Sequence, residues 1–98
     1  MAQSPVPVAD SSAPGNIVPL RASFLRHLHA ENRSASTRTT YAKAIDQLDA
    51  FLSASRMPTE VADVTREHLE PFLVSLRQRG MRPAIVSQRY RSLQQFFR

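Results

Sequence analysis

Apolar residues recur at helical spacing in four stretches of the chain, with polar breaks between them. The first stretch covers residues 20–30, and its apolar residues Leu20, Phe24 and Leu28 fall on one helical face. The second stretch is the most regular, and its stripe consists of Thr37, Tyr41, Ile45, Leu48 and Leu52. Ser34, in preference to Ser36, can accept the free N–H groups of its first turn. The spacing predicts two amphipathic helices, the second of them capped by Ser34.

A third helix is predicted between Thr65, a suitable N-cap, and Gly80, which suits a left-handed C-terminal residue. Its apolar stripe consists of Leu69, Phe72, Leu73 and Leu76. Pro71 lies inside this helix and has no N–H for the preceding turn, so we expect a kink or a later start. Val61 and Val64, just before it, are expected to plug the core.

The fourth helix is predicted to begin at Pro83 and has two distinct faces. Its apolar stripe consists of Val86, Tyr90, Leu93 and Phe97, so Tyr90, like Tyr41, is expected in the core. The other face carries polar residues without an acid: Ser87, Gln88, Arg91, Gln94 and Arg98. Arginine can pair with guanine, glutamine with adenine and serine with a phosphate oxygen or a base edge. This face is therefore suited to a DNA groove.

Together the four helices predict an all-α fold, a small four-helix orthogonal bundle over residues 19–98. Residues 1–18 are rich in proline and serine, which indicates a disordered tail. This segment has neither the basic cluster nor the apolar run of a signal peptide. No stretch approaches the roughly twenty apolar residues of a membrane span. We expect a cytoplasmic protein without a membrane partner.

Composition narrows the classes of function. A chain of 98 residues makes one domain with a modest core and little room for a catalytic cleft. The chain has no cysteine, which excludes a disulfide scaffold and cysteine-ligated metals. The net charge is +5, and no acid follows Glu70 although six arginines do. This basic third indicates either a polyanionic partner, nucleic acid before membrane, or a solvated face that serves solubility, and charge alone does not separate the two.

Catalytic chemistry is not indicated by the residues. No nucleophile, base and electrostatic stabiliser form a recognisable set. His27 and His29 would point about 200° apart on a helix, which disfavours joint metal binding. The two glycines, Gly15 and Gly80, cannot form a phosphate-binding loop. We expect no catalytic residue, no metal and no cofactor.

Three local patterns carry a family resemblance. Ser34, Thr37 and Tyr41 form an S-x-x-T-x-x-x-Y run that leads to a Phe51-Leu52 pair. The second pattern is DVT followed by HLEPFLVSLRQRG, and the third is VSQRYRSLQQFFR. In this order and spacing they resemble the N-terminal core-binding, or SAM-like, domain of tyrosine recombinases of the phage integrase family. The resemblance covers about four fifths of the chain.

The resemblance implies a DNA-binding domain that clamps a recombination half-site during DNA integration or recombination. A separate catalytic domain, which this chain lacks, would close on the other side of the duplex, so the chain by itself is not expected to be an enzyme. Its partners would be double-stranded DNA and recombinase protomers, four on DNA, with the isolated domain monomeric. The implied contacts are Thr37, Arg38, Thr39, Thr40, Lys43, Arg82, Ser87, Gln88, Arg91 and Gln94. Lys43 and Arg82 are assigned to phosphates, and Ser87, Gln88 and Arg91 to base edges.

Two other classes of function remain open at this point. A helical module could bind a protein partner through exposed aromatic residues such as Phe96 and Phe97. A helix-turn-helix transcription regulator could use the third and fourth helices, which are joined by a turn of suitable length at residues 79–83. A regulator of this kind would be expected to have a dimerisation surface, and none is recognisable in the sequence.

Overall fold

The computed structural model describes residues 13–97 and contains four α-helices in that range. They are α1 (Ile17–Ala30), α2 (Ala35–Ala54), α3 (Arg66–Gln78) and α4 (Pro83–Phe96). A short 3-10 turn, Val61–Asp63, lies between α2 and α3. The extended pairing within residues 13–97 is a single isolated bridge between Asn16 and Glu60. The predicted all-α, four-helix fold is confirmed.

The first helix begins three residues earlier than the sequence predicts. Asn16 is its N-cap and accepts the Val18 N–H through Oδ1 at 3.0 Å. Asn16 and Ile17 are both buried, so the predicted tail extends too far at its C-terminal end. The remainder of that tail, residues 1–12, lies outside the described residues.

The predicted caps of α2 and α3 are present. Ser34 Oγ accepts the Thr37 N–H at 3.1 Å at the start of α2. Thr65 is the N-cap of α3, and its own N–H donates to His68 Nδ1 at 2.9 Å. The helix starts at Arg66 and continues through Pro71, so the later start considered from the sequence is wrong. Pro71 is exposed, as is Glu67, so water can reach the carbonyl that the proline leaves unpaired.

The first three helices end in the same way, with a left-handed residue two positions beyond the last helical one. These residues are Asn32, Arg56 and Gly80, with φ of 64°, 57° and 88°. In each case the next N–H donates back to a carbonyl of the last turn, for example Met81 to Leu76 at 3.1 Å and Met57 to Leu52 at 2.8 Å. This is the Schellman arrangement, and it confirms the stop predicted at Gly80.

The second helix is central and packs against the other three. It contributes Ala44, Ile45, Leu48 and Leu52 to a core completed by Ile17, Phe72, Leu76, Leu93 and Phe96. Val61 and Val64 pack against this core, as the sequence predicts. The ring of Phe24 lies edge-on to Tyr41 and to Phe96, with centroids 5.3 and 5.4 Å away. None of the described helices is long and apolar enough to span a bilayer.

The inward face of α4 differs from the predicted stripe. Its buried residues are Arg89, Ser92, Leu93 and Phe96. Tyr90, expected in the core, is 38% exposed, whereas Arg89 is only 7% exposed. Val86, Leu93 and Phe97 of the predicted stripe do pack on the core, so the difference is the burial of Arg89 and Ser92 in place of Tyr90. Both buried polar side chains have partners inside the protein. Arg89 donates to Gln47 on α2, and the Ser92 hydroxyl donates to the Gln88 carbonyl at 2.9 Å.

Candidate nucleic-acid interface

An open depression runs along α4 and reaches the start of α2. The residues that line it are Ser36, Thr37, Thr40, Tyr41, Leu69, Gln88, Tyr90, Arg91, Ser92, Gln94, Gln95 and Phe97. None of these residues is acidic, and Arg91 carries the formal charge. The surface is therefore weakly basic and mixes polar side chains with three aromatic ones, Tyr41, Tyr90 and Phe97, which is a composition compatible with an anionic partner.

Five of the ten predicted contacts meet at this depression, which we call the α2–α4 face: Thr37, Thr40, Gln88, Arg91 and Gln94. Arg91 and Gln94 are exposed, as is Ser87, which precedes them on the outward side of α4. Arg82 is also exposed but precedes the helix as its N-cap. The fold thus brings the start of α2 beside the outward side of α4, as the pattern of predicted contacts requires.

The other predicted contacts on α2 lie around different sides of that helix. Arg38 and Thr39 line a depression shared with α1, together with Arg21 and Arg26. Thr39 also lines a depression towards α3 with Lys43, in which Asp46 contributes a negative charge. The ten residues therefore do not form one continuous patch.

The threonines of the α2–α4 face differ in what their hydroxyls can donate. The Thr40 hydroxyl donates to the Ser36 carbonyl at 3.1 Å, so its proton is engaged within the helix. The Thr37 and Ser34 hydroxyls are 2.9 Å apart, and because either can donate, Ser34 can act as the donor when a ligand takes the Thr37 proton. Because phosphate oxygens only accept hydrogen bonds, Thr37 is the better phosphate ligand of the two.

Arg89 lies buried beneath this surface and was not expected there from the sequence. Its Nε donates to Gln47 Oε1 at 2.8 Å, and its Nη1 donates to Gln88 Oε1 at 2.7 Å. The ion pairs within residues 13–97 are Arg21–Asp46 and His27–Glu31, so Arg89 has no carboxylate within 4.0 Å in that range. Two amide oxygens take the place of a counter-ion. The spacing of Arg89 from Leu93 and Phe96 is the sequence signal that could have placed it inward.

Tyr90 is the other residue of this surface that the sequence reasoning placed elsewhere. It was assigned to the core because it is spaced from Val86 and Leu93 as a helical stripe requires. Its exposed ring lies next to Arg91 in sequence and lines the same depression. Within residues 13–97, no three histidines or carboxylates lie close enough together to hold a metal ion.

The family model for the phage integrase N-terminal SAM-like domain matches the sequence of this chain over residues 20–98. The chain therefore belongs to this family, and the resemblance seen in the sequence is confirmed. It is 36% identical over 75 residues to tyrosine recombinase XerC of Roseiflexus sp. (strain RS-1). The same identity and length are found with tyrosine recombinase XerC of Roseiflexus castenholzii (strain DSM 13941 / HLO8). Each alignment covers 76% of this chain, which spans only 24% of the length of either relative. No solved structure matches the chain significantly.

Proposed function

We propose that this chain is the DNA-binding domain of a site-specific tyrosine recombinase. It holds one half-site of the recombination target in the cytoplasm while a separate catalytic domain cuts and rejoins the strands. Full-length protomers would assemble as a tetramer on DNA, whereas this domain alone is a monomer. The observation that carries the proposal is the α2–α4 face, whose lining contains Arg91 and no acid. Membership of the SAM-like family supports the same function.

The distribution of acidic residues along the chain supports the proposal that DNA binds at the α2–α4 face. No acidic residue follows Glu70 in the sequence, so the whole of α4 is free of negative charge. The acids of α2 are Asp46 and Asp49, beyond its first two turns. A duplex approaching the start of α2 and the outward side of α4 therefore meets donors and cations without carboxylate repulsion.

The proposed DNA contacts fall into two groups, those to phosphates and those to base edges. Thr37, with its available hydroxyl proton, is assigned to a phosphate, and Lys43 and Arg82 add phosphate contacts at the margins. Arg91 and Ser87 are the candidates for base edges, since both are exposed on the outward side of α4. Binding of this kind combines a salt-dependent, sequence-independent part with a smaller sequence-dependent part.

The test is a titration of the 98-residue chain with a labelled 30-base-pair duplex of mixed sequence, followed by fluorescence anisotropy. If Lys43 and Arg82 each neutralise one phosphate, the affinity should fall roughly 12-fold between 50 and 200 mM KCl, because each cationic contact releases counterions. Absence of binding at low salt, or affinity that does not respond to salt, contradicts the proposal.

A double charge reversal separates this function from a protein-interaction module. Lys43→Glu with Arg91→Glu should abolish DNA binding, since it changes the charge of the surface by four units. The matched control is Arg66→Glu with Arg77→Glu, two exposed residues of α3, which changes the net charge by the same four units. The control variant should keep most of the wild-type affinity, since it leaves the α2–α4 face unchanged. Equal loss in both variants would show that the α2–α4 face has no special part in binding.

A further inference from the structure

The buried guanidinium of Arg89 joins two glutamines that face different surfaces. Gln88 lines the α2–α4 face, and Gln47 lines the depression on the α3 side of α2. Both accept from Arg89 through Oε1, at 2.7 and 2.8 Å. Because a guanidinium carries donors only, each amide must turn its oxygen towards it. The hydrogen bonds to Arg89 therefore decide which end of each glutamine is left for a ligand.

For Gln88, that remaining end is the Nε2 amine with its two N–H donors. A glutamine that reads adenine uses both ends, since the oxygen accepts from N6 while the amine donates to N7. Here an adenine N6 amine would share the Gln88 oxygen with a charged donor 2.7 Å away, which weakens that contact. A ligand atom that only accepts hydrogen bonds meets no such competition.

Resting on the DNA-binding function proposed above, we propose that Arg89 is a positioning residue which fixes Gln88 as a hydrogen-bond donor. Gln88 then contacts an acceptor on the duplex, either a phosphate oxygen or an acceptor on a base edge such as guanine N7 or O6. This revises the adenine contact that the sequence favours for a glutamine on this face. Arg89 itself touches no DNA, because it is 7% exposed and lies beneath the surface.

A double-mutant cycle tests whether Arg89 acts through Gln88. Affinity for the mixed 30-base-pair duplex is measured for Gln88→Ala, Arg89→Met and the double variant at one salt concentration. Each single change should weaken binding about fivefold, and the double variant should be no weaker than either one. Gln47→Ala is the matched control, because it removes the other hydrogen bond of Arg89 and should leave affinity within about twofold. Penalties that multiply in the double variant overturn the inference.

Methionine keeps the length and packing of the arginine stem while it removes the buried charge, so the fold should tolerate it. Thermal unfolding of each variant checks this. If Arg89→Met does not fold, Gln88 is tested alone, by comparing Gln88→Ala with the wild type on an A·T-only and a G·C-only duplex. An equal penalty on both supports a phosphate contact, and a larger penalty on G·C supports a base acceptor. A penalty confined to A·T supports an acceptor such as adenine N7 or thymine O4 if it persists when the adenines are replaced by purine, which lacks the N6 amine. A penalty confined to A·T that disappears with purine overturns the inference, since it indicates the two-ended adenine contact.

Failure of this inference can be told apart from failure of the proposed function. A wild-type chain that binds no duplex contradicts both. A wild-type chain that binds with the expected salt dependence, but whose Arg89→Met and Gln88→Ala penalties multiply, contradicts only the positioning role of Arg89.

Discussion

Asn16 and Thr59 are joined by a buried side-chain hydrogen bond, in which Asn16 Nδ2 donates to Thr59 Oγ1 at 2.8 Å. A backbone hydrogen bond from the Ile17 N–H to the Thr59 carbonyl lies beside it at 2.9 Å. The other end of the same amide caps α1 through the Val18 N–H. Asn16 therefore fixes the start of α1 and ties it to the segment that connects α2 to α3.

Asn16→Ala should lower the free energy of unfolding by about 2–3 kcal/mol. The change removes the cap and leaves the Thr59 hydroxyl buried without its donor. Ser34→Ala, which removes an exposed cap from α2, is the matched control and should cost only about 1 kcal/mol. Urea unfolding followed by circular dichroism measures both. Equal losses would mean that the link to Thr59 contributes nothing beyond capping.

Substitutions of the left-handed residues at the helix ends should change the stability of the domain in opposite directions. Arg56 adopts φ of 57° with a side chain that disfavours it, so Arg56→Gly should stabilise the domain by about 0.5–1 kcal/mol. Gly80→Ala should destabilise it by about 1 kcal/mol. A Cβ at Gly80 would meet nothing within 4 Å, so that loss would come from the backbone alone.

Thermal unfolding of the two variants gives the comparison. Asn32→Gly, at the end of α1, is the control, because asparagine already tolerates the left-handed region and the change should be small. A loss of stability in Arg56→Gly would show that contacts of the arginine side chain outweigh its backbone strain.

Regular, locally determined features of the fold could be predicted from the sequence. The Ser34 cap, the α2 stripe and the Gly80 stop each depend on residues within one or two turns of each other. The start of α1 could not be predicted in this way, because Asn16 depends on Thr59, which lies 43 positions further along the chain. The apolar stripe that begins at Leu20 gave a plausible local start, but the distant partner decided the boundary.

The burial of Arg89 in place of Tyr90 on α4 also depends on a partner that is distant in the sequence. Residue type favoured Tyr90 over Arg89 for the core, because the spacing suits both and a charged residue is ordinarily exposed. Burial of Arg89 needs two acceptors, and Gln47 is supplied by another helix 42 positions away. For the candidate site, the residue types and the α4 face were predicted, but the side of α2 that meets it depends on helix packing. That is why Arg38 and Lys43 lie apart from Arg91.

The partly buried position of Asp49 should make the stability of the fold depend on pH. Burial, and secondly the charge of Asp46, raise the pKa of the Asp49 carboxyl above its ordinary value of 3.8. The folded state therefore binds this proton more tightly than the unfolded state does. The resulting stabilisation is complete below about pH 3.8 and is lost as the pH rises through the folded-state pKa. At neutral pH the ionised, partly buried carboxylate destabilises the fold.

Asp49→Asn should accordingly raise the melting temperature at pH 7 and have little effect at pH 3. Asp63→Asn, on the exposed 3-10 turn, removes the same charge and is the control for net charge. Thermal unfolding of both variants at the two pH values measures the difference. A gain from Asp49→Asn that is equally large at pH 3 would show that the effect is not ionisation.

Arg91 on α4 and Arg38 on α2 test where the duplex lies. Arg91→Gln, on the α2–α4 face, should weaken DNA binding by about 1–3 kcal/mol on duplexes that present its preferred base and by less on others, as expected for a base-edge contact. Arg38→Gln removes the same charge from the side of α2 shared with α1, so it should change the affinity much less. Anisotropy titrations of both variants on an A·T-only and a G·C-only duplex at one KCl concentration give the affinities. If Arg38→Gln weakened binding as much as Arg91→Gln, the duplex would have to cross the start of α2 towards α1, and the outward side of α4 would be only one edge of the interface.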